Sequence, residues 1–97
     1  MPVAALVMDV RVVSSSSLKD KRMVVDRLLD RSRRRFGVAA AELGGHGLWQ
    51  RAELGFAAVA SSTTRVEETL DAVERFVWSH PDLDVLSCDR FWLETDH

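Results

Sequence analysis

A two-layer α+β fold, with a four-stranded antiparallel sheet carrying two helices on one face, is what this 97-residue sequence predicts. Three observations lead there. Apolar residues alternate with a period of two near the start, in the middle and, less regularly, at the end of the chain; two stretches between them repeat with the period of a helix; and no connection is long enough to separate one domain from another. Composition agrees, since 46% hydrophobic and 29% charged residues describe one globular unit. A chain this short hides only roughly two thirds of its unfolded surface, so its core is thin and a subunit interface would add burial.

The first strand is read from Leu6, Met8, Val10 and Val12, which alternate with Val7, Asp9, Arg11 and Val13 and assign the even-numbered face to the core. Ser17-Leu18-Lys19-Asp20 then resembles a capping box, with Asp in place of the usual Glu, and starts a helix near Leu18. Leu18, Val25, Leu28, Leu29, Ser32 and Phe36 gather on one side of that helix, and Gly37 suits the left-handed conformation that ends it, so the helix spans about Leu18 to Arg35.

Val38 to Leu43 reads as a short alanine-rich strand, and Gly44-Gly45-His46-Gly47 as a turn before a second run from about Arg51 to Ala60. Leu54, Phe56 and Ala58 form the apolar face of this second run, which is expected to be central, while Gly55 permits close approach. Thr64-Arg65-Val66-Glu67 offers a capping box to a second helix striped by Val66, Leu70, Val73 and Val77, which Pro81 brings to an end at Ser79 and His80. Leu83 to Leu93 supplies the last strand, with a register that Leu83, Val85 and Leu86 leave open. The order βαββαβ is the split βαβ, or ferredoxin-like, arrangement, which leaves one sheet face to solvent, a ligand or a second subunit.

Charge divides along the chain. Met1 to Ser61 carries a balance of +4 and Ser62 to His97 one of −6, within a net charge of −2. A basic and an acidic flank follow, suited to steering an anionic partner, to pairing copies, or to solubility. Cys88 is the single cysteine, which rules out an intrachain disulfide and a thiolate zinc site and reads as a small packed hydrophobe. The apolar run Val3 to Val13 has no basic leader and is broken by Asp9 and Arg11, so neither a signal peptide nor a membrane span is expected, and the default compartment is the cytoplasm.

Ser17-Leu18-Lys19-Asp20-Lys21-Arg22 after an N-terminal strand, then Ala41-Glu42, then Leu48-Trp49-Gln50-Arg51-Ala52-Glu53-Leu54-Gly55, resembles the YlxP-like family of small bacterial proteins of unknown function. The resemblance spans nearly the whole chain and implies a ferredoxin-like fold. Genes of that family commonly neighbour those for translation initiation and ribosome-binding factors, which implies a translation context and assigns no chemistry. The end of the chain, Cys88-Asp89-Arg90-Phe91-Trp92-Leu93-Glu94, and the alanines from Ala39 to Ala41 depart from the family pattern.

Arg27, Arg31, Arg34 and Arg35 fall within about 100° of one another on the helical wheel, away from the apolar stripe, a placement suited to following a phosphate backbone. The plainer reading is a solubilising face, with intrahelical pairs such as Asp30 with Arg34 and Asp26 with Arg22, each worth roughly 0.2 to 0.5 kcal/mol. Lys19, Lys21 and Arg22 sit at the positive end of the same helix and call for a compensating anion, be it a phosphate held by Ser14 to Ser17 or the nearby Asp20. Phe56 fills only one position of an RNA-stacking strand and belongs to the core by alternation, so any RNA contact is expected from the helix.

Trp49, beside Gln50 and Arg51, is read either as a partner anchor or as a plug for the end of the core. Phe91 and Trp92 point to opposite faces of the last strand, so at least one leaves the helix-covered core, and a dimer across the open face would hide it. His46, His80 and His97 are isolated, and His46 with Glu42 makes only two ligands, so no enzyme, metal or cofactor is expected. The sequence thus supports a cytoplasmic, non-enzymatic factor bound to ribosomal RNA or ribosomal particles through Lys19, Lys21, Arg22, Arg27, Arg31, Arg34 and Arg35. The alternative is a structural or regulatory protein that acts through homo- or hetero-oligomerisation, anchored at Trp49, Arg51, Phe91 and Trp92, without nucleic acid.

Overall fold

Each of the six expected elements forms in the computed structural model, which describes residues 1–93 and so leaves Glu94 and His97 outside the described residues. They are β1 (Val3–Val12), α1 (Leu18–Phe36), β2 (Ala39–Gly44), β3 (Arg51–Val59), α2 (Thr63–Trp78) and β4 (Leu83–Leu93). The sheet order is β2-β3-β1-β4 with every pair antiparallel, the ferredoxin-like topology, and β1 and β3 are its central strands.

Alternation places Ala4, Leu6, Met8, Val10 and Val12 of β1 under the helices beside Ala52, Leu54, Phe56 and Ala58 of β3, and all of them are buried. Val25, Leu28 and Leu29 of α1 and Val66, Leu70, Val73 and Val77 of α2 close over them. Cutting one of the large members, such as Leu70, to alanine costs about 2 to 5 kcal/mol. No helix of the described residues is long and apolar enough to cross a membrane.

Several details differ from the sequence reading. Leu18, assigned to the buried stripe, is 41% exposed at the first position of α1. The cap of α2 is Ser62, whose hydroxyl accepts from Arg65 N at 3.2 Å, so the helix starts at Thr63 and the Thr64 box goes unused. The poor alternation of β4 has a physical cause: Ser87 lies opposite Asp9 and Val85 opposite Val10, so Leu86 is an extra residue in a β-bulge. Gly37 caps α1 at φ 66°, its N–H donating to Arg33 O at 3.1 Å.

Candidate functional site

The basic face of α1 is assembled on the helical layer, where the helix packs beside α2. Phe36 near the end of α1 meets Phe76 of α2 edge to face with ring centroids 5.6 Å apart, and the Arg35 guanidinium lies 5.2 Å and 5.7 Å from the two rings. This cation–π pairing pins Arg35 at the seam between the helices. Next to it a cleft of about 320 Å³ is lined by Val24, Arg27 and Arg31 of α1, Phe76 of α2, and Ser79, His80, Pro81 and Asp82 of the turn into β4. A neighbouring hollow is lined by Arg31, Arg34, Arg35 and Phe76. Together they form a furrow along the two helices.

The arginines differ in what they already hold. Arg34 pairs with Asp30 at 3.2 Å, and Arg33 donates to Ala40 O at 2.7 Å. Lys19, Arg22, Arg27 and Arg31 are exposed and make no ion pair with a carboxylate among the described residues, so the expected Arg22–Asp26 pair does not form. Asp82 is the one carboxylate lining the cleft, where its N–H donates to His80 Nδ1 at 3.2 Å. The cleft therefore offers two guanidinium groups against one acid, with an apolar wall from Val24, Phe76 and Pro81. Such a site suits phosphate groups better than cations.

Lys21 leaves the set of surface cations. It is 2% exposed, its Nζ lies 2.9 Å from Glu42 Oε2, and it donates to Gly45 O at 2.6 Å. Glu42 Oε2 is buried outside hydrogen-bond geometry, so the contact with Lys21 is a pairing of charges. The anion that Lys21 required is supplied by β2. Its place was legible, since Lys21 precedes Val25, Leu28 and Ser32 at helical spacing and falls on their buried stripe.

Three of the four serines from Ser14 to Ser17 are also internally satisfied. Ser15 is buried and donates to Ser17 O at 2.8 Å; Ser16 donates from N at 3.3 Å and from Oγ at 2.8 Å to Asp20 Oδ2; Ser17 Oγ accepts from Asp20 N at 3.1 Å. These bonds, led by the Ser16 hydroxyl, hold the Asp20 carboxyl below its ordinary pKa. Ser15 to Ser17 thus work as an extended helix cap, with their hydroxyls engaged locally.

The candidate anchors fall in three places. Trp49 lies 45% exposed on the β2–β3 connection. Arg51 donates to Asp9 Oδ2 at 2.6 Å on the open sheet face, diagonal to the Arg11–Asp84 pair at 2.7 Å. Phe91 stands opposite Ala5 on the open face, whereas Trp92 stands opposite Ala4 on the helix side, at the sheet end. The two are 57% and 39% exposed.

Cys88 donates to Glu74 Oε1 at 2.8 Å, and burial followed by that bond pushes its thiol up to about 12. It is therefore a protonated thiol at neutral pH and a poor nucleophile. His46 Nε2 lies 3.9 Å from Glu42 Oε1, and no group of three or more metal-ligating side chains forms among the described residues. The sequence reading missed Phe76, Ser79 and Asp82 as walls of the furrow, because they meet α1 only through the packing of α2 and its following turn.

A protein-family profile described as "Protein of unknown function (DUF503)" matches residues 3–90. It covers both helices and ends one residue before Phe91. The chain is also 38% identical over 73 residues to the Bacillus subtilis (strain 168) protein called "Uncharacterized protein YlxP", a stretch that spans 75% of this chain and 79% of that protein.

Proposed function

The chain belongs to the DUF503 family of proteins of unknown function, and on that premise we propose that it is a non-enzymatic factor that binds RNA phosphates, as on a ribosomal particle, along the furrow between α1 and α2. The observation that carries this reading is the pairing state of Arg27 and Arg31: they line one cleft four residues apart on α1, exposed, with no ion-pair partner among the described residues. Lys19 and Arg22 extend the same charge toward the start of the helix. Backbone phosphates are the ligands that a row of guanidinium groups fits, with Phe76 as an apolar wall beside them. Phe56, the one aromatic at a position of an RNA-stacking strand, is buried in the core. A cytoplasmic location goes with this partner.

Replacing Arg27, Arg31, Arg34 and Arg35 with glutamate tests the reading by co-sedimentation with ribosomal particles and by titration of single-stranded RNA at several salt concentrations. The wild-type protein is expected to bind less tightly as salt rises, with a slope of roughly 0.7 per phosphate contacted. The variant is expected to keep its circular dichroism spectrum and lose binding. Unchanged binding would remove the furrow from the function.

A further inference from the structure

The sheet face away from the helices carries a second surface. Three successive rows across it are apolar at their centre: Leu93, Val3 and Val59; then Phe91, Ala5, Ala57 and Ala39; then Val7, Gly55 and Ala41, with Asp89 at the β4 edge of this third row. Val59, Leu93 and Phe91 are 65%, 56% and 57% exposed, a contiguous apolar surface of the kind that marks an interface. We infer that two copies of this chain pair through this face, with Phe91 of each copy entering the alanine-lined hollow of the other.

Shape supports a second copy as the occupant. On the β2 side the face has a hollow of about 270 Å³, floored by Ala5, Ala39, Ala41, Gly55 and Ala57. On the β4 side of the same row stands Phe91. Knob and hollow thus occupy opposite edges of one row, so a two-fold axis parallel to the strands sets each knob over the hollow of the other copy. Gly55 lets the Leu43 side chain lie down as one wall of the hollow, since a Cβ there would come within 2.6 Å of Leu43 Cδ1 and displace it.

Size points the same way. Four strands of 10, 6, 9 and 11 residues, about 4.8 Å apart and rising ~3.4 Å per residue, present on the order of 600 Å² in projection. A stable dimer of standard size needs about 800 Å² of accessible surface per partner, which a corrugated face of that projection supplies. Beyond the apolar rows lie Asp9 with Arg51 and Arg11 with Asp84, ion pairs that give the face a polar rim at one end. The helices are on the other side of the sheet, so pairing leaves the α1–α2 furrow uncovered and either proposal can fail alone.

Light scattering and sedimentation equilibrium on the full chain, at low and high salt and over a range of concentrations, test the pairing. The wild type is expected to reach the mass of two chains with little salt dependence. Phe91→Ala, on an exposed edge strand, is expected to raise the dissociation constant about thirtyfold or more, the effect of truncating an aromatic anchor seated in a pocket. Ala57→Asp should give a monomer. Met23→Ala, an exposed apolar side chain on α1, should change nothing. A wild type that stays monomeric when concentrated, a dimer that salt dissolves, or one indifferent to Phe91→Ala would each overturn the inference, and the last needs no help from Ala57→Asp should that variant fail to fold.

Discussion

Near the start of α1, Lys21 is 2% exposed and lies 2.9 Å from Glu42, whereas further along the same helix Arg27 and Arg31 are exposed in a cleft without a carboxylate partner among the described residues. All three are cations on one helix. Angle about the helix axis separates them: Lys21 shares the stripe of Val25, Leu28 and Ser32, and the two arginines do not. A buried cation must find its anion within the fold, because taking it out of water unpaired costs several kcal/mol. A cation on the outer face is hydrated and stays available to a partner.

The contrast breaks most visibly at Lys21. Lys21→Ala leaves the Glu42 carboxylate buried without its counter-charge and is expected to lower the unfolding free energy by about 3 to 5 kcal/mol in urea titration. A loss below about 1 kcal/mol would mean that the pair adds nothing internal. Arg27→Ala combined with Arg31→Ala should move stability by only about 0.5 kcal/mol, as expected for exposed side chains without partners. A larger loss would show that these arginines also support the fold.

The smallest effect is expected at Ser16 and depends on pH. Asp20 has a folded pKa below its ordinary 3.8, so the stability it contributes is present above that value and is lost as pH falls through the lower folded one. Ser16→Ala removes the largest cause of the depression. Its destabilisation should be measurable at neutral pH and fade in strong acid, a sign that thermal melts across that window would check.

Much of the fold was legible because it rests on periodicity. The even-numbered residues of β1 and the stripe of Val66, Leu70, Val73 and Val77 each declare a buried face without reference to anything distant. The bulge at Leu86 was visible only as an irregularity, since a register is a property of two strands and its cause lies opposite Asp9 and Val10. The furrow was half legible. The wheel collected its arginines, but its far wall of Phe76, Ser79 and Asp82 comes from a segment more than forty residues away.

The anchors divide in the same manner. Alternation alone said that Phe91 and Trp92 must face opposite ways. That Phe91 stands in one row with Ala5, Ala57 and Ala39 required the pairing of four strands. Arg51, read as a partner anchor, is held by Asp9 across two strands, a diagonal contact that no local spacing reveals.

What the sequence by itself determined is the element order, the buried faces of β1, β3 and the two helices, and the family, because these are written in local periods and short motifs. What only the tertiary structure decided is which charges are free. Lys21 and Arg51 found carboxylates on other elements, Arg34 found one on its own helix, and Arg27 and Arg31 found none among the described residues. Pairing depends on distance in space, and distance is set when the sheet and helices close around the core.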